Sequence, residues 1–504
     1  MVSRLSLGMC GIAVLALAVF LPSSGETSAE PSVRSQSLDV KPTEPDKFVG
    51  SQSCSSTSCH GSLSGLRDPK QIRFDEYHVW LSDPHARAYE TLFAERSRHI
   101  FQNLGLLKDG GNVIPEQQDT FASTWRKCQA CHDTPRSIEH PTTVFLNEGV
   151  GCEACHGPAS RWLHRHYRSQ WKSLSHQEKA EFGLINTADS QFAASRCGEC
   201  HVGGPGREVG HDLIAAGHPA LRFEWTWYRR RMPRHWRQAE ADAALKTDPR
   251  GDWLTGQIAG LEATLDLMTT RFENAQSSDS PFDLADYSCF ACHHDLESST
   301  WRVDQELRTD RGTGNVLVPW SPWTASLLVE LARRDNSDKA IAFAKSYDQL
   351  AALMESGLFL EDRSDEIATA IRGCKERLHA WSRQIQTNSS GVATRWLHAL
   401  GRGQESKDVS ISWNLATQLF LALASPYRDA PEDAPEELTQ LRDLLSFPSK
   451  SDAIYESPFE FGKARNESPS RQEQAWSLIR NVAKWDRMTP SDWAEENSNS
   501  KNRD

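Results

Sequence analysis

The chain has 504 residues, enough for roughly two to four domains, and its 38% apolar content supports ordinary packed cores. A formal net charge of −12 argues against a general nucleic-acid binder. Neither figure selects a function, so the motifs carry the reading.

The N-terminus opens on MVSRLSLGM, continues through the apolar run CGIAVLALAVFL and ends in the small-residue stretch PSSGETSAE. That order predicts a signal peptide over residues 1–29, cleaved after Ala29, followed by a polar linker over 30–43. The apolar run is shorter than the roughly 18 to 20 residues a bilayer span needs. Cys10 opens that run rather than following it, which argues against a lipidated cysteine. No later stretch is apolar for long enough to cross a membrane, so a periplasmic or otherwise exported protein is expected.

Next comes GSQSCSSTSCHG at 50–61, holding Cys54, Cys59 and His60. It has the form of a c-type haem-attachment motif lengthened by two residues. Four regular versions follow: CQACH with Cys128, Cys131 and His132; CEACH with Cys152, Cys155 and His156; CGECH with Cys197, Cys200 and His201; and CFACH with Cys289, Cys292 and His293. Two thiols at this spacing add across the vinyl groups of one porphyrin, and the adjacent histidine reaches the iron. Zinc ribbons, redox disulfides and iron–sulfur ligation each leave the histidine after every second cysteine unexplained. Five covalent haems c are therefore expected. The lengthened site keeps two readings open: a haem clamp whose Ser55–Ser58 loop bulges outward, or a disulfide without haem.

Eighteen histidines supply these five proximal ligands and the candidates for sixth positions. Asp83 or Ser82 is expected to cap a helix with Pro84 in its first turn, bringing His85 to a helix start. His78 stands in an aromatic run. His164 and His166 point to different helix faces. Farther on come His211, His218 and His235, with Gly217 and Pro219 placing His218 in a turn, and then His140 and His294 complete the set. The ligand set carried forward is His85, His164, His218, His211 and His78. The cluster Arg229, Arg230, Arg231 and Arg234 reads either as a solvated face or as a partner for haem propionates.

The fold expected is mostly α. A multihaem domain over 44–300 would be cored by porphyrins and aromatic residues such as Trp80, Trp125, Trp162, Phe223 and Trp225. A helical domain over 301–504 follows, with amphipathic stretches at 321–334, 339–357, 365–385, 409–425 and 437–447 and a polar C-terminal tail.

FVGSQSCSSTSCHG, YHVWLSDPHARAY, GCEACHGPAS and CGECHVG together resemble the multihaem cytochrome c-554 family over residues 47–300. The resemblance implies a mostly helical fold, haems in closely stacked pairs and periplasmic electron carriage, with founding members that accept electrons from hydroxylamine oxidoreductase. It assigns attachment to the second, third and fourth motifs and a distal-ligand role to His85. The lengthened first site, the altered CHGPASRWLH segment and the fifth motif depart from the family pattern. The expected function is single-electron transfer between redox partners, one of them conceivably membrane-associated; the alternative is an oxidoreductase for a small nitrogen or sulfur compound at one open haem.

Overall fold

The computed structural model describes residues 46–63, 74–134, 148–236, 249–278, 283–287, 320, 322–356, 363–386, 389–401, 412–427, 433–446 and 470–485. The expected signal peptide and linker lie outside these residues, as do the fifth motif at Cys289, Cys292 and His293, His140, His294 and the expected boundary near residue 300. Residues 46–504 form one compact unit. It is mostly helical; among the described residues the only β pairing is two isolated bridges, Leu107 with Val113 and Tyr287 with Trp320. No described helix is long and apolar enough to cross a membrane.

The first half is built of short helices: α1 Glu76–Leu81, α2 Glu95–Asn103, α3 Gln118–His132, α4 Cys152–His156, α5 Ser190–His201, α6 His211–Ala215 and α7 Trp225–Arg231. Polar caps start several of them. Asp189 accepts from the amides of Gln191 and Phe192 at the head of α5, and Glu224 accepts from those of Thr226 and Trp227 at the head of α7. Asp83 caps not a long helix but a single 3₁₀ turn, Pro84–Arg87, accepting from the His85 amide.

A long helix, α8 Pro249–Ser278, joins this half to the second. Leu254, Ile258, Leu261, Leu265, Met268 and Phe272 recur every three or four residues and are all buried. They belong to one apolar cluster with the helices that follow: α9 Ser326–Arg334, α10 Asp338–Met354, α11 Ser364–Ile385, α12 Ser389–Gly401, α13 Trp413–Ala424, α14 Glu436–Leu445 and α15 Arg471–Trp485. The other side of α8 is small. Ala259 packs with Ala193, Ala194, Phe223 and Trp225, Ala263 meets Gly198 of the fourth motif, and a Cβ on Gly256 would collide with the Trp225 side chain. Small residues thus let α5 and α7 approach, while large ones anchor the C-terminal helices. Asp252 pins the contact, accepting from Trp225 Nε1 at 3.0 Å and pairing with Arg229 at 3.0 Å.

All five helical stretches expected after residue 300 contain helices at α9, α10, α11, α13 and α14. Cys374, which belongs to no motif, is buried in α11, and burial pushes its thiol up to about 12.

Candidate functional site

Three attachment motifs occupy helical turns: CQACH closes α3, CEACH is the whole of α4, and CGECH closes α5. In each, the first cysteine and the histidine are four residues apart, the spacing that an α-helical N–H to C=O bond joins. Site 1, the lengthened motif, has no such helix. A 3₁₀ turn, Ser51–Cys54, leads into the serine loop, yet the His60 amide still donates to the Cys54 carbonyl at 3.3 Å. The same two backbone groups meet as in a regular motif, and the two extra residues are taken up by a turn in which Cys59 and Gly61 donate to the Ser56 carbonyl at 2.8 and 3.0 Å. Gly61 is required there, because a Cβ would fall inside the Ser55 carbonyl. All eight motif cysteines described are unbridged. Burial pushes the Cys155 thiol up to about 11 and that of Cys197 up to about 12, whereas hydrogen bonds from Cys131 and Cys54 lower those of Cys200 and Cys152.

Each of the four described motif histidines lies near a second imidazole. His60 and His166 have ring centres 6.1 Å apart and nearly parallel planes at 15°. His132 and His218 are 6.4 Å apart at 89°, His156 and His235 6.2 Å at 80°, and His201 and His85 6.1 Å at 82°. Two imidazoles bound to one metal through Nε2, each about 2 Å from it, place their ring centres roughly 6 Å apart. The spacing fits an iron between each pair.

The other ring nitrogen supports that reading. Nδ1 of His60 meets Glu76 Oε2 at 3.1 Å, and Nδ1 of His85 meets Asp83 Oδ1 at 2.9 Å. Nδ1 of His132 meets Thr91 Oγ1 at 2.9 Å and the Ala88 carbonyl at 3.1 Å; Nδ1 of His156 meets Thr187 Oγ1 at 3.3 Å. Backbone carbonyls serve three more: Leu163 for His166 at 2.7 Å, Pro219 for His218 at 2.8 Å and Pro233 for His235 at 3.4 Å. A proton held at Nδ1 leaves the Nε2 lone pair for a metal. Burial, then neighbouring histidines, lower His156 and His201 to about 4, so both are neutral imidazoles at pH 7.

Of the expected distal set, His85 and His218 face proximal histidines, while His78, His164 and His211 stand elsewhere. His78 directs Nε2 at the Gly61 carbonyl, 3.1 Å away, and so spends the nitrogen a ligand would need. His164 is exposed on the turn that carries His166 inward. His211 opens α6, its amide donating to Asp283 at 3.1 and 3.2 Å and its Nδ1 lying 3.6 Å from Asp212. The places opposite His60 and His156 belong to His166 and His235. A signal for the latter was present: His85, His218 and His235 all lie within two residues of a proline, in turns rather than on helix faces.

Buried hydrogen bonds knit the sites together. Glu153, inside CEACH and fully buried, accepts from the amides of Val49, Gly50 and Ala159. It thereby ties site 3, the CEACH motif, to the segment leading into site 1. Glu148 accepts from the Ser51 amide at 2.9 Å and from Thr134 Oγ1 at 3.1 Å, and the Cys152 amide donates to Ser51 Oγ at 3.0 Å. The thiols of Cys54 and Cys152 lie within hydrogen-bonding reach, as do those of Cys131 and Cys200. Arg196 of α5 donates to the Ala154 carbonyl and pairs with Glu199, joining site 4, the CGECH motif, to site 3. The contacts run from site 1 to site 3, to site 4, to site 2 at CQACH.

Among the described residues no three His, Cys, Asp or Glu side chains converge as a metal cage. A porphyrin iron needs none, since its protein ligands are axial. The family cytochrome c554 and c-prime matches residues 53–157, which hold sites 1 to 3 and His85. No curated protein and no solved structure matches the chain.

Proposed function

Because residues 53–157 match the cytochrome c554 and c-prime family, we propose that this chain is an exported c-type cytochrome holding five haems and passing single electrons between redox partners. The observation that carries the proposal is the set of four histidine pairs at 6.1 to 6.4 Å. A haem c supplies a one-electron ferric–ferrous couple when bound. The residues would do the rest: the cysteine pairs would attach the porphyrin, and His60 with His166, His132 with His218, His156 with His235 and His201 with His85 would hold the iron. The oxygens on Nδ1 fix each ring's proton and orientation. With two histidines of the chain assigned to each iron, no described site would offer a small substrate a coordination position, which favours a carrier over an oxidoreductase.

The contact order supports a route through sites 1, 3, 4 and 2, with sites 1 and 3, and 4 and 2, as close pairs. The fifth haem rests on the motif of Cys289, Cys292 and His293. His211 is its candidate distal ligand, because the Asp283 that binds the His211 amide lies six residues before Cys289. The leader expected over 1–29 and the periplasmic habit of the family support export. The partners are redox proteins, and the C-terminal helices are a candidate surface for them.

Carbon monoxide added to the reduced protein is the test. The native protein is expected to bind none at sites 1 to 4, while His166→Ala, His218→Ala, His235→Ala and His85→Ala each open one haem and His164→Ala opens none. Binding by a large share of the native haems, or opening by His164→Ala in place of His166→Ala, overturns the assignment.

A further inference from the structure

Sites 1 and 4 differ from sites 2 and 3 in the chemistry that grips Nδ1. At site 1 the acceptor is the Glu76 carboxylate, 3.1 Å from His60, and at site 4 it is the Asp83 carboxylate, 2.9 Å from His85. At sites 2 and 3 the acceptors are neutral: the Thr91 hydroxyl and the carbonyls of Ala88 and Pro219 at one, the Thr187 hydroxyl and the Pro233 carbonyl at the other. Asp83 is also the better insulated carboxylate, 3% exposed, whereas the Glu76 side chain is 22% exposed.

A carboxylate on Nδ1 draws the ring proton toward itself, so the imidazole becomes a stronger donor through Nε2. A stronger donor, and a nearby negative charge, both favour the ferric over the ferrous ion. The effect grows as solvent is excluded, because the local dielectric falls. We infer that Glu76 and Asp83 are positioning residues that set haem potentials, holding sites 1 and 4 below the values their ligands would give over neutral acceptors. The inference rests on the bis-histidine reading above.

The ring planes make the sites separable. Parallel imidazoles across a ferric iron give a rhombic low-spin resonance, and near-perpendicular ones give a resonance with a large maximal g value. Site 1, at 15°, is the parallel one among the four described, and the others lie at 80° to 89°.

Redox titration of the haem-loaded full chain, followed by electron paramagnetic resonance, tests the inference with Glu76→Gln and Asp83→Asn. Asp83→Asn keeps an oxygen for the His85 amide and ring, so the 3₁₀ cap survives the loss of charge. It is expected to raise one large-g component until its ferric-to-ferrous ratio at a fixed ambient potential falls about tenfold, which is about 59 mV for a one-electron couple. Glu76→Gln is expected to raise only the rhombic component, by less. Native signals that are not low-spin bis-histidine would refute the ligation reading itself. Low-spin signals that stay in place, with potentials that do not rise in either acidic variant, refute this inference alone. If Asp83→Asn fails to load haem, the rhombic shift in Glu76→Gln decides it.

Discussion

Residues 46–236 and residues 249–485 hold themselves together by different means. In the second region one apolar cluster runs from Trp253 through Phe343 and Trp381 to Ala483. In the first, buried apolar side chains fall into small groups, such as Ala159, Trp162 and Trp171, and the ties between segments are polar: Glu153 on three amides, Glu148 on Ser51 and Thr134, Asp83 on His85. Burying a carboxylate is costly without partners, and such a lattice defines geometry more than it supplies a driving force. The proposed porphyrins would supply the apolar surface that the first region lacks in protein side chains. On that reading cofactor attachment and folding are one event for the N-terminal half and separate events for the C-terminal half.

The largest effect expected from that contrast follows removal of haem. A full chain with the attachment cysteines replaced by alanine should lose order throughout 46–236 while α8 to α15 remain folded. Limited proteolysis should then leave a resistant fragment beginning near residue 249 and ending near 485, and far-ultraviolet circular dichroism should keep the C-terminal helical signal. Equal digestion of both regions would show that the two depend on the same core.

A smaller effect should appear on the other side of the comparison. Trp381 is fully buried, stacks on Phe343 at 5.3 Å and donates to Asp335 at 2.8 Å. Trp381→Ala should cost the C-terminal region about 3 to 5 kcal/mol. Chemical denaturation followed by far-ultraviolet signal should record that loss, while the haem absorption spectrum of the native state stays unchanged.

The two regions were also unequally legible in the sequence. Helices after residue 300 announced themselves, because a 3.6-residue apolar period on one face is what a surface helix needs. Helix α8 did not. It buries large residues on one side and Gly256, Ala259 and Ala263 on the other, so its period is blurred, and it stands among haem motifs while packing with the C-terminal helices. Proximal histidines are fixed by covalent spacing and need no tertiary information. Distal ones come from anywhere in the chain. Choosing between His164 and His166 requires knowing which way one turn faces, and His235 stands among the candidates with only a nearby proline to rank it above His211. The match of the family over 53–157 likewise ends before His166, His218 and His235.

Glu224 sits where the two regions meet, and its behaviour with pH sharpens the comparison at their seam. It caps α7, whose Trp225 and Arg229 bind Asp252 of α8, and it accepts from the Thr226 hydroxyl and the amides of Thr226 and Trp227. Burial raises its carboxyl to about 7, with Asp252 adding to the rise, against the lowering effect of those hydrogen bonds; Arg222 and Arg442 line the same cavity. The unfolded chain has released this proton above pH 4.5, while the folded chain keeps it to about 7, so the folded state binds more protons in between and stability falls as pH rises. The contribution is fully present below pH 4.5 and is lost by about pH 7, an upper limit of about 3 kcal/mol. Denaturation of the wild type and of Glu224→Gln across pH 4.5 to 8 should give two curves whose difference has that slope, since glutamine keeps an acceptor oxygen and releases no proton. Parallel curves would mean that Glu224 is already ionised in the folded protein and that the seam is held by the Asp252 contacts alone.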